Sequence, residues 1–108
     1  MKTIILTVQS ANNQWRLGLS KSDSENYFSH LESVKFQLSD ELGFECNAAC
    51  GTSNKKAFDF NNIKLSKWIT ENHFEIYPRW KPTKLIFMMT FVKKKKVLKF
   101  HSKKNNKS

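Results

Sequence analysis

The feature that most constrains the fold of this chain is the uneven distribution of its charge. The net charge is +10, yet residues 1–78 hold eight lysines or arginines against nine acids. Residues 79–108 hold Arg79, ten lysines and no acid. Because like charges repel, we expect this section to face water, to be disordered or to meet an anionic partner. The chain thus divides into a near-neutral body and a basic section.

Length and composition predict one small domain. A chain of 108 residues can bury a single modest core, and its nine Phe, three Trp and two Tyr supply large apolar anchors. We predict a near-neutral body over residues 1–78 and a basic apolar strand section of the same domain over residues 79–100. Residues 101–108 have no apolar side chain to bury and are expected to form a disordered basic tail.

The N-terminus and the cysteines predict a cytoplasmic protein. Only Ile4 to Leu6 form an apolar run near the N-terminus, which does not match a signal peptide. Cys46 and Cys50 are the only cysteines, and a reducing compartment would keep them as thiols.

The chain begins with a pattern typical of a β-hairpin. Residues 2–8 are rich in β-branched side chains, and residues 15–20 alternate apolar with polar side chains. Asn12 and Asn13 lie between the two segments and tolerate the left-handed backbone of a tight turn. Two antiparallel strands are therefore expected.

A long helix is expected next, from a cap at Ser22 or Asp23 to Gly43. Apolar side chains recur there at steps of three and four residues, which predicts that one helix face lies in the core. These residues are Tyr27, Phe28, Leu31, Val34, Leu38 and Leu42.

A second helix is expected to begin at Asn61 or Asn62 and to end near His73, where an imidazolium would favour the helix C-terminus. Leu65, Trp68 and Ile69 would line its buried side.

Short strands are expected over residues 56–60, 74–77 and 85–92, with Pro78 and Pro82 interrupting the chain. These elements predict an α+β domain. It would comprise an N-terminal β-hairpin, two main helices, further short strands, a basic C-terminal strand section and a disordered tail.

The longest apolar run, residues 85–92, is too short to cross a bilayer, which takes about 20 residues. With the lysines that follow at 93–96, it would suit an interfacial anchor on anionic lipid. A buried strand followed by a solvated turn explains the same residues, so membrane-surface binding is disfavoured.

Three segments resemble GIY-YIG nuclease-like proteins of bacteria. They are Ser29–Leu31, the Glu-Leu-Gly stretch in Leu38–Gly43, and Leu65–Phe74, which matches a Leu-Ser-x-Trp helix followed by a short strand. The resemblance covers roughly residues 29–77, and Leu17–Lys21 adds a weaker match to the hairpin at the start of the family. It implies the scaffold of a metal-dependent DNA endonuclease.

The catalytic residues implied by the resemblance are absent. Leu17 stands where the family pattern places a tyrosine, and no arginine lies between Arg16 and Arg79. No carboxylate follows Glu75, although a divalent cation would need oxygen ligands. The resemblance therefore implies a scaffold without catalysis, either truncated or followed by a frame-shifted end, since an adenine-rich gene read in another frame would encode many lysines.

Metal and thiol sites are not expected. Cys46 and Cys50 lack a second cysteine pair, and His30, His73 and His101 are scattered, whereas structural zinc needs four clustered ligands. A Cys-His nucleophile would need a third group to orient the histidine. We predict two small buried thiols, no cofactor and no catalytic residue.

The basic section predicts contact with DNA or RNA through the phosphate backbone. Lysine neutralises phosphates without reading bases well, and Trp80 would either stack on an unpaired base or anchor packing. The candidate binding residues are Arg79, Trp80, Lys81, Lys84, Lys93, Lys94, Lys95, Lys96, Lys99, Lys103 and Lys104. A solvated, solubilising tail explains the same charges.

Three functions remain open. The first is a non-catalytic protein associated with nucleic acid on a GIY-YIG-like scaffold. The second is a nuclease with an unrecognised active site. The third is a structural or interaction protein that pairs the hairpin edge and the 85–92 strand with a protein partner.

Overall fold

The computed structural model shows a seven-stranded β-barrel with two short helices, and it describes residues 2–11, 13–28, 32–50, 58–78 and 80–104. The elements are β1 (Lys2–Ala11), β2 (Gln14–Gly18), α1 (Lys21–Tyr27), β3 (Ser33–Gln37), β4 (Gly43–Cys50), β5 (Phe58–Phe60), α2 (Ile63–Glu71), β6 (Lys84–Val92) and β7 (Lys95–Lys103).

The strands close in the order β1-β2-β5-β4-β3-β7-β6, and β6 pairs with β1 to complete the barrel. All neighbouring strands are antiparallel except β3 and β7, which run parallel over Lys35–Gln37 and Val97–Lys99. The basic section therefore supplies two of the seven strands. Within the barrel, its strands β6 and β7 lie between β1 and β3.

The expectation of an α+β domain is wrong, because the protein is mainly β. The error lies in the predicted helix from Ser22 or Asp23 to Gly43. Among the described residues of this segment only α1 is helical, whereas Ser33–Gln37 form β3 and Gly43 begins β4. Val34, Phe36 and Leu38 are all buried while Lys35 is exposed. This period of two belongs to a strand, and a helix would have left Phe36 off its apolar face.

Other expectations are confirmed. The β1–β2 hairpin forms with Asn13 at a φ of 64°, in the left-handed region that a tight turn requires. The α2 helix begins at the cap Asn62, whose Oδ1 accepts a hydrogen bond from the Lys64 N–H at 2.8 Å. Strand β6 covers the predicted strand at 85–92, and Phe58–Phe60 lies inside the predicted strand at 56–60.

Two further expectations are wrong. Residues 74–77 form a turn and irregular backbone rather than a strand, directly after a left-handed His73 with a φ of 60°. Residues 101–103 belong to β7 rather than to a disordered tail. Ser102 and Lys103 pair with Ile86 and Leu85 at the start of β6, and His101 lies at a register shift between the two strands. These residues are therefore held by sheet pairing even though they bury no large apolar side chain. Residues 105–108 lie outside the described part of the chain.

Aromatic rings fill the barrel. The ring of Phe36 lies 4.9 Å from that of Phe60, 5.6 Å from that of Phe87 and 6.1 Å from that of Phe44, measured between centroids. Phe36, Phe60 and Phe87 are fully buried. Trp68 of α2 adds edge contacts to Phe87 and to Phe100. The core thus joins residues from both the near-neutral body and the basic section.

Candidate nucleic-acid interface

Most of the described basic residues of the C-terminal section lie on the hairpin formed by β6 and β7. Val92 pairs with Lys95 beside the turn, and Leu85 pairs with Lys103 at the open end. A strand rises about 3.3 Å per residue, so the two ends of β6 are separated by roughly 25–30 Å. The cations therefore form two groups rather than one continuous patch.

The first group is Lys93–Lys96, which we call the turn cluster. Lys93 and Lys94 connect the strands with φ angles of 52° and 68°. Two consecutive left-handed residues are typical of a two-residue hairpin turn. Both side chains are exposed.

The other half of the turn cluster is neutralised by acids of the body. Lys95 forms an ion pair with Glu45 of β4, and the Nζ of Lys96 lies 2.6 Å from Glu32 Oε2. The Lys96 ammonium also lies 5.2 Å from the centroid of the Phe28 ring, within range of a cation–π interaction. These contacts hold Lys95 and Lys96 against the barrel, so they are less accessible to an external phosphate than Lys93 and Lys94.

Two apolar side chains beside the turn are exposed. Phe91 is 62% exposed and Val92 is 55% exposed, whereas Leu85, Phe87 and Met89 are buried earlier in the strand. The prediction of a buried strand is therefore wrong for its last two residues. The apolar run in the sequence continues past the point where the strand leaves the core.

The second group is Trp80, Lys81, Lys84, Lys103 and Lys104, which we call the open-end cluster. The N–H of Lys104 donates to the carbonyl of Lys84 at 2.8 Å, so the beginning of β6 and the end of β7 lie side by side. The N–H of Val8 in β1 donates to the carbonyl of Thr83 at 2.8 Å. Pairing of β6 with β7 thus brings Lys84, Lys103 and Lys104 together at one end of the hairpin.

A shallow cavity of about 330 Å³ lies beside the open-end cluster, with Lys84 and Lys104 in its wall. Neutral polar side chains complete much of the wall, among them Thr3, Thr7, Gln9 and Ser20. Asp23 is the acid among the described lining residues. Two ammonium groups, hydroxyls and an amide are suitable donors for phosphate oxygens.

None of the described ion pairs includes a lysine of the open-end cluster. Arg16 pairs with Asp59. In the turn cluster, Lys95 pairs with Glu45 and Lys96 pairs with Glu32. The sequence could not show this division, because it depends on β3 lying between β7 and β4 in the barrel.

Two candidate residues lie outside both clusters. Lys99 is exposed in the middle of β7, in a groove that Asp40 and His101 also line. Arg79 lies outside the described residues.

The described residues contain no group of three or more His, Cys, Asp or Glu side chains that could hold a metal ion. The exposed His101 lies with its Nδ1 2.8 Å from Ser102 Oγ, and His73 follows the C-terminal end of α2. His30 lies outside the described residues. Among the described candidates, the structure thus brings together no cluster of His and Cys side chains.

Cys46 is a buried free thiol, as predicted, with 3% of its surface exposed. The pKa of this thiol is raised to about 11, mainly because burial disfavours the charged thiolate. A hydrogen bond to the backbone of Asn61 lowers the pKa, and the nearby charge of Asp59 raises it. The side chain of Cys50 lies outside the described residues.

We therefore expect Cys46 to resist alkylation in the folded protein. The raised pKa lowers the thiolate fraction near pH 8 by about 100-fold relative to an ordinary cysteine, and burial limits access further. In Cys50→Ser protein, where Cys46 is the sole thiol, iodoacetamide labelling followed by mass spectrometry should be at least about 100-fold slower than in the same protein in denaturant. Equal rates in the two states would contradict the burial of Cys46.

The segments that resemble GIY-YIG proteins lie in different elements. Residues 65–71 of the Leu65–Phe74 segment lie in α2, whereas Leu38–Gly43 forms the connection from β3 into β4. Ser29–Leu31 lies outside the described residues. No protein-family model matches the chain, and no curated protein matches it significantly. Neither described helix has the length and hydrophobicity needed to cross a membrane.

Proposed function

We propose that the protein binds nucleic acid, without catalysis, through phosphate contacts made by the open-end cluster. The observation that carries the proposal is the position of Lys84 and Lys104 beside the polar cavity, outside the described ion pairs. Cations outside the described ion pairs can contact phosphates directly, whereas Lys95 and Lys96 would first have to leave Glu45 and Glu32. A cytoplasmic location is part of the proposal and agrees with a free thiol at Cys46.

The proposal does not depend on a relationship to GIY-YIG nucleases. Strand pairing with a protein partner through residues 85–92 is disfavoured, because both edges of β6 are already paired, one with β1 and the other with β7.

The triple variant Lys84→Gln, Lys103→Gln, Lys104→Gln tests the proposal. Each phosphate contact contributes about 0.7–0.9 to the slope of log affinity against log salt, so we expect the slope to fall by about 2–3. Affinity for a labelled oligonucleotide should fall by about 10- to 100-fold near 0.1 M salt, measured by fluorescence anisotropy.

The matched control removes the same charge from elsewhere on the barrel, through Lys35→Gln, Lys93→Gln and Lys94→Gln. The two lysines of the turn lie farther from the open-end cluster than the Debye length of about 10 Å at 0.1 M salt, so we expect affinity to change by less than about threefold. If both triple variants lose affinity equally, binding follows net charge and the open-end cluster is not the site. Nicking of plasmid DNA by the wild-type protein with Mg²⁺ or Mn²⁺ would overturn the non-catalytic part of the proposal.

A further inference from the structure

The open-end cluster contains an aromatic ring that the fold does not bury. The Trp80 side chain is 82% exposed, whereas Trp68 is buried and Trp15 packs edge-on against Tyr77 at 6.3 Å between ring centroids. The sequence allowed Trp80 to be a packing anchor, and its exposure shows that the ring is not part of the barrel core. A large apolar ring held in water gains free energy when a ligand covers it.

The segment that carries Trp80 is fixed to the barrel. The N–H of Lys81 donates to the carbonyl of Pro78 at 2.9 Å, and Thr83 is buried with its carbonyl bound to the Val8 N–H at 2.8 Å. Pro82 restricts the backbone between them. These contacts hold the backbone from Lys81 to Thr83, directly after the indole, which lowers the entropy cost of binding.

Trp80 also lines a cleft with the character of a base-binding site. The cleft has a volume of about 290 Å³, and its described lining consists of Trp80, Lys81, Pro82 and Lys84. It combines an indole face and a proline ring with two ammonium groups, and its described wall contains no acid. Nucleobases stack on aromatic faces while lysines contact the flanking phosphates.

We propose that Trp80 stacks on an unpaired base while Lys81 and Lys84 hold the adjacent phosphates, so that the ligand of this cluster is single-stranded nucleic acid. In a duplex each base is already stacked on its neighbours, and the indole would have to displace one of them. This inference rests on the proposed function. It adds a stacking contact with a nucleobase to the proposed contacts with the phosphate backbone.

Three labelled probes of equal length test the inference: an oligothymidine strand, a strand with the same phosphates but abasic sugars, and a duplex. Loss of one stacked base changes affinity by about 5- to 150-fold in other proteins. We expect the wild-type protein to bind oligothymidine more tightly than the abasic strand by a factor in this range. The duplex should also bind more weakly than oligothymidine at equal salt.

Variants of Trp80 test whether the indole ring causes the difference in affinity between oligothymidine and the abasic strand. Trp80→Ala should lower affinity for oligothymidine to the level of the abasic strand and leave abasic binding unchanged, whereas Trp80→Phe should retain part of the difference. Because the side chain is exposed, an unchanged melting temperature is expected and serves as the folding control.

The results separate the two proposals. Equal wild-type affinity for intact and abasic strands, tighter binding of the duplex, or equal losses in Trp80→Ala for both strands would overturn base stacking while leaving backbone binding in place. Failure to bind any of the three probes at low salt would overturn the proposed function itself, and the inference with it.

Discussion

A chain that stops after Tyr77 is expected to remain unfolded. The truncation removes β6 and β7, which leaves β1 without its partner on one side and β3 without its parallel neighbour. It also removes buried core side chains, namely Leu85, Phe87, Met89 and Leu98. A sheet opened on two sides and stripped of part of its core cannot offset the entropy of ordering the remaining chain.

Circular dichroism and thermal melting measure this loss. The truncated chain should show little strand signal and no cooperative transition, whereas a chain ending at Lys104 keeps every described element and should melt within a few degrees of the full protein. A cooperative transition in the chain that stops after Tyr77 would show that the body folds alone, and that the closed barrel is not the folding unit.

The charge boundary in the sequence is therefore not a boundary in the fold. Lys99 and Lys103 of β7 are exposed, while Leu98 is buried on the same strand. Net charge controls solubility and partners, whereas burial follows the alternation of side chains along each strand.

The parts of the fold that the sequence predicted are those with local signals. Asn62 caps α2, Asn13 turns the first hairpin, and β6 is a continuous apolar run. Each of these depends on a few neighbouring residues, so no knowledge of the rest of the molecule is needed.

The segment from Val34 to Leu42 fits two periods at once. Spacings of three and four residues suggest a helix, but Val34, Phe36 and Leu38 also alternate with polar residues. The choice between them depends on β4 and β7 lying on either side of β3, which is information from distant parts of the chain.

The sequence predicted which residues of the candidate interface are basic, but not that the fold separates them into the turn cluster and the open-end cluster. The sequence pointed to the run of four lysines as the densest charge, yet Glu45 and Glu32 come from β4 and from the residue before β3 to pair with half of it. The open-end cluster forms because the β6–β7 register brings Lys84 beside Lys104, far apart in sequence. Long-range pairing of this kind leaves no local pattern.

Replacement of Phe36 by alanine is expected to destabilise the protein by about 3–5 kcal/mol, a large part of the roughly 5–15 kcal/mol that stabilises a typical domain. Phe36 is fully buried and its ring contacts those of Phe44, Phe60 and Phe87. Its removal leaves a cavity where β3, β4, β5 and β6 meet. The melting temperature should fall by more than about 10 °C in a domain of this size.

Phe91→Ala is the matched control, since it removes the same side chain from a site that is 62% exposed. We expect its free energy of unfolding to change by less than about 0.5 kcal/mol, because exposed substitutions leave no cavity. Urea denaturation of both variants separates the two positions. A loss below about 1 kcal/mol for Phe36→Ala would contradict the strand assignment of residues 33–37, because only the alternation of a strand places Phe36 in the core beside Val34 and Leu38.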